Sequence, residues 1–174
     1  LCKPIGLFRR LMGATRRVDS TPLLDASGPP RRPFSCYRRS MTACEPIRIE
    51  TTAGPTLAGI LHHPRNDDRG LGVVVAHGML STKDSDKHRS ICEAVAEAGA
   101  TGLRFDFRGR GESDGDPTDL TVSNEVEDLL ASIAFLRDRG IRRVAAVGSS
   151  LGGTVSLLAA ARDRRFVGLV TIAA

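Results

Sequence analysis

The chain has 174 residues and a formal net charge of +5 at pH 7, and this length suits one domain with a hydrophobic core. The charge is uneven, because residues 1–44 hold nine Lys and Arg against two Asp, whereas the other 130 residues hold 16 Lys and Arg against 18 Asp and Glu. The globular part therefore gives no reason to expect a nucleic-acid partner, and no apolar run approaches the roughly 18 residues of a membrane span.

Residues 1–44 form a basic segment with Arg pairs, prolines and no periodic pattern of apolar side chains. We interpret it as a disordered extension outside the fold, with Met41 as a plausible natural start. The alternative is an organelle transit peptide over residues 1–40, since that stretch is rich in Arg and poor in acids. The four cysteines make no CxxC pair, which suits a reducing compartment. We therefore predict a cytoplasmic protein, or an imported one if the alternative holds.

From about residue 45 the chain alternates between strand and helix patterns. The predicted elements, in chain order, are a hairpin over 47–54 and 56–64, a buried strand over 71–78, a helix ending at Gly99, a strand over 100–107, a helix between Thr121 and Gly140, a strand over 142–148, a helix from Leu151 and a strand over 166–174. Short links between them predict an α/β fold, a mostly parallel sheet with helices on both faces.

Two of the helices carry apolar stripes that are expected to face the sheet. The first stripe comprises Ile91, Ala94, Val95 and Ala98, and the second comprises Val122, Val126, Leu129, Ile133 and Leu136. Thr121 is expected to cap the second helix, and the two terminal glycines are expected to end their helices in the left-handed conformation.

The stretch VGSSLGGT, residues 147–154, places two serines between glycines where a strand turns into a helix. It fits the G-x-S-x-G pattern of a nucleophile elbow, in which side chains at −2 and +2 would collide with neighbouring backbone. Ser150 has Gly148 and Gly152 at those positions, whereas Ser149 has a valine at −2. We therefore predict that Ser150 is a catalytic nucleophile.

Three other interpretations compete with a nucleophile elbow. A serine at a helix start is most often an N-cap. The run over residues 148–154 nearly fits a phosphate-binding loop, but no Lys precedes Thr154 to reach the phosphates. GRGESDG, residues 109–115, is similar to a dinucleotide loop, yet Asp116 and Pro117 follow it where a helix should start.

Acyl transfer also needs two backbone N–H groups directed at the developing oxyanion. The residue after the candidate nucleophile, Leu151, supplies one of them in this pattern, and the loop after the third strand supplies the other. That loop reads HGML, residues 77–80, and we predict Met79 as the donor. His77 is expected to be a structural residue that binds the loop's backbone, because its place in the chain does not suit a triad base.

Three motifs, in this order and spacing, resemble the N-terminal half of the α/β-hydrolase fold: HG at 77–78, DFRGRGES at 106–113 and GSSLGG at 148–153. Residues 45–174 are most similar to cinnamoyl-esterase-type carboxylesterases and serine aminopeptidase-like hydrolases. The resemblance implies a Ser-His-Asp triad with Ser150 as the nucleophile and Met79 and Leu151 as oxyanion donors. It also implies that residues 106–113 shape a loop beside the site, and it implies neither a metal nor an organic cofactor.

The chain departs from this family in its histidines and late acids. All four histidines precede Ser150: His62, His63, His77 and His88. Asp163 is the only acid after Ser150, and it lies at a helix end rather than a strand end. The family places its acid and histidine after later strands, so we expect both to lie beyond residue 174. The chain as given is then expected to be C-terminally truncated and inactive on esters.

The predicted function is hydrolysis of a small-molecule carboxylic ester through an acyl-enzyme on Ser150. A peptidase or a thioesterase with the same triad is an alternative. A non-catalytic binding protein of the same fold is another. The sequence does not identify the ester, and the oligomeric state is left open.

Overall fold

The computed structural model describes residues 43–52 and 54–174. The predicted disordered extension covers residues 1–44. All of it except its last two residues lies outside the described part of the chain. The helices and strands of that part are β1 (Cys44–Ile49), β2 (Leu57–His62), β3 (Leu71–Ala76), α1 (Asp86–Glu97), β4 (Thr101–Phe105), a 3₁₀ turn (Pro117–Asp119), α2 (Val122–Asp138), β5 (Arg143–Ser149), α3 (Leu151–Arg162) and β6 (Phe166–Ile172). Every helix and strand predicted from residue 45 onward is present.

The strands form one sheet in the order β1-β2-β4-β3-β5-β6. β1 pairs antiparallel with β2, and β2 pairs antiparallel with β4. The pairs β3–β4, β3–β5 and β5–β6 are parallel, so the predicted mostly parallel sheet is confirmed. β3 lies at the centre and is buried along its whole length, as its continuous apolar sequence predicts.

The helices cover the two faces of the sheet. β4 and β5 flank β3 on opposite sides, so right-handed crossovers from β3 to β4 and from β4 to β5 place α1 and α2 on opposite faces. On the face of α2 and α3, apolar residues such as Leu103, Phe105 and Leu129 form the main core. On the face of α1, a Cβ at Gly102 would lie 3.1 Å from Cys92 Cβ, so this glycine lets the helix approach the sheet closely.

The predicted helix ends are confirmed, but one predicted buried stripe is wrong. Thr121 Oγ1 accepts a hydrogen bond from the Asn124 N–H at 3.2 Å, and Gly99 and Gly140 have φ of +80° and +86°. The buried residues of α1 are His88, Cys92, Val95 and Ala96, whereas Ala94 is exposed. Of the expected stripe, Val95 is buried and Ile91 and Ala98 are half-buried, and Cys92 packs where Gly102 leaves room for it.

The second predicted stripe is confirmed over Val126, Leu129, Ile133 and Leu136, which are all buried. Val122, at the start of the helix, is 40% exposed and does not join that face. None of the helices in the described part of the chain is both long and apolar enough to cross a membrane.

Candidate active site

The candidate site lies at the carboxyl ends of the central strands. β3 pairs with β4 on one side and with β5 on the other, so the loops that leave β3 and β5 start next to each other. The strand order reverses at β3, and open α/β sheets bind their ligands at such a point. The loop after β3 carries residues 77–85, and the turn after β5 carries Ser150.

Ser150 forms a sharp turn between the last residue of β5 and the first residue of α3. Its φ of 51° and ψ of −123° place a non-glycine residue in a sparsely populated backbone region. Such a conformation costs about 1–3 kcal/mol and persists only when the surroundings enforce it. Here the Ser150 N–H donates to the Ile172 carbonyl at 2.8 Å, and the Ser150 carbonyl accepts from the Gly153 N–H at 2.7 Å.

The glycines on either side of Ser150 are required by backbone contacts. A Cβ at Gly148 would overlap the Gly152 carbonyl oxygen, and a Cβ at Gly152 would overlap the Ala76 carbonyl oxygen. The crowding that the sequence predicts for positions −2 and +2 is therefore present. The turn presses against both the start of its own helix and the end of β3.

The two serines have different surroundings. Ser149 is 7% exposed, and its Oγ accepts a hydrogen bond from Lys87 Nζ at 2.5 Å. Ser150 is exposed, and its side chain makes no capping hydrogen bond to α3. The N-cap interpretation of Ser150 lacks the hydrogen bond that defines it.

The loop after β3 packs directly against Ser150. A Cβ at Gly78 would lie 3.3 Å from Ser150 Cβ and 3.9 Å from its Oγ. The Gly78 carbonyl accepts hydrogen bonds from His77 Nδ1 at 2.8 Å and from the Ser81 N–H at 3.1 Å. This carbonyl and the Met79 N–H belong to one trans peptide unit, so fixing the carbonyl also fixes the direction of that N–H. No described residue accepts a hydrogen bond from the Met79 or Leu151 N–H.

His77 is a neutral structural residue, as predicted. It is 2% exposed, and burial lowers its pKa despite its hydrogen bond to the Gly78 carbonyl. Its Nε2 accepts a hydrogen bond from the Phe107 N–H at 3.2 Å, which leaves the proton on Nδ1 for the Gly78 carbonyl. The ring thus joins the end of β4 to the first peptide of the candidate oxyanion loop.

The other three histidines are also engaged away from Ser150. His62 Nε2 accepts from Arg104 Nε at 3.0 Å, and burial followed by the charge of Arg104 lowers its pKa to about 4. His63 pairs with Glu45 at 3.2 Å, and His88 Nδ1 lies 3.0 Å from the Thr82 carbonyl oxygen. No histidine of this chain is within hydrogen-bond distance of the Ser150 hydroxyl.

The late acid Asp163 is likewise occupied, because its carboxylate accepts hydrogen bonds from the Arg165 guanidinium and from the Arg165 N–H. These bonds lower its pKa. Its place at the end of α3, where its own N–H donates to the Ala159 carbonyl, is structural.

Residues 106–113 form the compact loop that the resemblance implies. Ser113 Oγ donates to the Asp106 carbonyl at 2.6 Å and accepts from the Ala58 N–H at 2.9 Å, which joins the loop to β2. Gly111 has φ of +53°, and a Cβ there would overlap the Asp106 carboxylate. Asp106 itself is completely buried and lies beneath the loop that carries Met79.

Sequence reasoning missed the buried ionic residues around this loop. Lys83 is 2% exposed and Arg104 is 7% exposed, although the sequence gives each the look of a surface residue. Asp128 of α2 is completely buried against Arg108. The only sequence signal for their burial was the concentration of charged residues near the ends of consecutive strands. Charged residues at strand ends are commonly solvated, so this signal is weak.

The fold agrees with comparisons to known proteins. The family model described as the alpha/beta hydrolase fold matches residues 73–174. The chain therefore belongs to the α/β-hydrolase fold family.

The chain is similar to relatives with transferase and thioesterase names and to the solved structure of Est1E. The polyketide transferase grgF of Penicillium sp is 30% identical over 131 residues, which is 73% of this chain and 44% of that protein. The human mitochondrial palmitoyl-protein thioesterase ABHD10 is 37% identical over 103 residues, 59% of this chain and 33% of that protein. Est1E from Butyrivibrio proteoclasticus, solved with ferulic acid bound, has a TM-score of 0.66 at 26% identity, with 71% of this chain and 50% of that chain covered.

The chain spans less than half the length of these curated relatives. The activity, substrates and partners of the whole protein are therefore proposals.

Proposed function

We propose that the whole protein is a serine hydrolase that cleaves a carboxylic ester or thioester through an acyl-enzyme on Ser150. The observation that carries this proposal is the exposed Ser150 on a strained turn, where a Cβ added at Gly78 would lie 3.9 Å from Ser150 Oγ. A hydroxyl in that position is accessible to a carbonyl carbon that enters from the open edge of the sheet. The Met79 and Leu151 N–H groups have no acceptor among the described residues, so they are free to bind an oxyanion.

The proposed chemistry has two steps. Ser150 Oγ attacks the acyl carbon while a base takes its proton, and the carbonyl oxygen develops negative charge that the two N–H groups stabilise. The tetrahedral intermediate expels the alcohol or thiol, which receives that proton. Water then attacks the acyl-enzyme in the same way and releases the acid.

The base and its acid partner are proposed to come from sequence after residue 174, because none of the four histidines, all in the described part of the chain, hydrogen-bonds to the Ser150 hydroxyl. The relatives are more than twice as long as the stretch they share with this chain. A serine without an adjacent base is a weak nucleophile, so removing a triad member leaves only about 10³–10⁴-fold acceleration over water.

A carboxylic ester is the first candidate substrate. The names of the relatives support a thioester as the second candidate. The human relative is named a palmitoyl-protein thioesterase, and another, from Arthrinium phaeospermum, is named a thiohydrolase. Met79 and Leu80 on the loop beside Ser150 are 56% and 94% exposed, which offers apolar surface for an acyl chain.

The test is a panel of nitrophenyl esters, acyl thioesters and aminoacyl amides of increasing chain length, assayed with the whole protein. We expect turnover of esters or thioesters that Ser150→Ala abolishes and that the matched variant Ser149→Ala retains. Turnover of amides alone would favour the peptidase. A folded protein that turns over nothing would favour the non-catalytic binding protein.

We further propose that residues 1–40 direct the protein to mitochondria rather than leaving it in the cytoplasm. The support is their Arg-rich, acid-poor composition together with the mitochondrial designation of the human relative. Fused to a fluorescent protein, residues 1–45 should localise to mitochondria, and replacing Arg9, Arg10, Arg16 and Arg17 by Gln should abolish this. Diffuse fluorescence from the unaltered fusion would contradict the proposal.

A further inference from the structure

Lys83, in the loop between β3 and α1, is a buried lysine surrounded by carboxylates. Its Nζ donates to Glu112 Oε2 at 2.7 Å, Asp84 Oδ2 at 2.9 Å and Asp106 Oδ2 at 3.0 Å. Burial alone would lower the pKa of the ammonium, but the hydrogen bonds to Glu112, Asp84 and Asp106 together raise it. Lys83 is therefore charged at neutral pH. Buried ion pairs are often no more stabilising than apolar residues of the same size, so stability is a weak explanation for this group.

Asp106 joins the backbones of two loops through its carboxylate. Oδ1 accepts the Lys83 N–H at 2.6 Å, and Oδ2 accepts the Glu112 N–H at 3.1 Å in addition to the Lys83 ammonium. Arg104 Nη1 donates to the Lys83 carbonyl at 2.9 Å. Lys83 is thus held at its N–H by Asp106, at its carbonyl by Arg104 of β4, and at its side chain by the three carboxylates.

The segment between His77 and Lys83 has little packing of its own. Leu80 is 94% exposed and Met79 is 56% exposed, so neither side chain fixes the loop through burial. His77 holds the loop at its start through Phe107, and Lys83 holds it at its end through Asp106. A segment with few buried contacts takes its position from such end points.

We propose that Lys83 and Asp106 are positioning residues that hold the Met79 N–H in place for oxyanion binding. This inference rests on the proposed function, with Met79 as an oxyanion donor. Catalysis by such donors depends on their being fixed before charge develops, and a displacement of about 1 Å can cost about 100-fold in rate. The ion pair fixes the end of the loop at Lys83, while hydrogen bonds from His77 and the Ser81 N–H fix the Gly78 carbonyl at its start.

The experiment compares the whole protein with its Asp106→Asn and Lys83→Met variants. The readouts are kcat, KM and the affinity for an alkyl boronic acid. The tetrahedral adduct of this inhibitor places an oxygen in the oxyanion hole. The matched control is Asp128→Asn. Asp128 is also a completely buried carboxylate, and it accepts hydrogen bonds from the Arg108 N–H and guanidinium, but it does not touch the loop over 77–83.

We expect Asp106→Asn and Lys83→Met to lower kcat about 10–100-fold, to leave KM within about threefold and to weaken boronate binding in parallel with kcat. Asp128→Asn is expected to lower the melting temperature by a similar amount with kcat within about threefold. Equal melting losses with unchanged kcat and boronate affinity in the Asp106 variant would overturn the proposal.

Lys83→Arg keeps the charge and provides a variant if Lys83→Met does not fold. It should fold and lose up to about tenfold in kcat, because a planar guanidinium cannot reproduce the three ammonium contacts. If all three variants fail to fold, the cluster is a folding requirement and the proposal is rejected. An unaltered protein without Ser150-dependent turnover would instead contradict the proposed function, which separates the two failures.

Discussion

The two segments that meet at Ser150 differ in what holds them. The turn from β5 into α3 is held by backbone contacts with Gly153, Ile172 and Ala76, and its glycines leave no room for side chains. The loop from β3 into α1 is held by hydrogen bonds that involve side chains and join residues more than 20 positions apart. The Phe107 N–H donates to His77 Nε2, and the Lys83 N–H donates to Asp106 Oδ1. The need for glycine at crowded positions can be predicted from the sequence, whereas polar contacts between distant residues can hardly be predicted from it.

The largest effect is expected from a methyl group at the crowded turn. Gly148→Ala would place Cβ onto the backbone of Gly152 and Gly153, so neither side can move without shifting α3. We expect it to lower the free energy of unfolding by at least about 3 kcal/mol or to prevent folding. Urea unfolding followed by circular dichroism measures this.

Gly140→Ala is the control for that substitution. Gly140 has φ of +86° but no atom within 4 Å of an added Cβ, so only backbone strain applies and the cost should be about 1–2 kcal/mol. Equal costs at the two glycines would show that conformation, rather than crowding, makes the elbow require glycine.

The next largest effect is expected at the start of the loop from β3 into α1. His77→Ala removes the hydrogen bond to the Gly78 carbonyl and frees the peptide that carries the Met79 N–H. We expect kcat of the whole protein to fall about 10–100-fold with little change in KM. His77→Asn keeps an N–H near the position of Nδ1 and should recover part of the loss. Wild-type kcat in both variants would show that His77 does not position the loop.

A smaller, pH-dependent effect is expected at Glu125, a buried acid that belongs to neither segment. It lies in the first turn of α2, is 3% exposed, and its Oε2 has no hydrogen-bond partner in the described part of the chain. Burial, followed by repulsion from Asp128, raises its pKa from 4.5 to about 7. The folded state therefore holds the proton more tightly than the unfolded state does.

The sign follows from that difference in proton binding. The contribution of Glu125 to stability is complete below the unfolded pKa near 4.5 and is lost as the pH rises through about 7. Glu125→Gln should remove this loss and stabilise the protein by about 1–3 kcal/mol at pH 8, with little change at pH 4.5. An unchanged slope of unfolding free energy between these pH values in the variant would contradict this assignment.

The features that could be predicted from the sequence are those set by glycines, and the features that could not are those set by contacts between distant residues. The G-x-S-x-G spacing indicates the elbow because crowding there excludes side chains, and Gly99 and Gly140 mark the helix ends because their positive φ favours glycine. The α1 stripe is mispredicted, since nothing in the helix itself reveals that Gly102 of β4 admits Cys92. Lys83 and Asp128 look like surface charges, because their burial depends on partners that only the folded sheet brings near.

The most direct test of the account is the site of covalent labelling in the whole protein. A fluorophosphonate should attach to Ser150, whose hydroxyl is exposed on the strained turn, and not to Ser149, which is buried and hydrogen-bonded to Lys87. Mass spectrometry of the labelled peptide distinguishes the two positions, and Ser150→Ala should abolish labelling while Ser149→Ala retains it. An adduct on Ser149, or none in a protein that turns over esters, would contradict the assignment of Ser150 as the nucleophile.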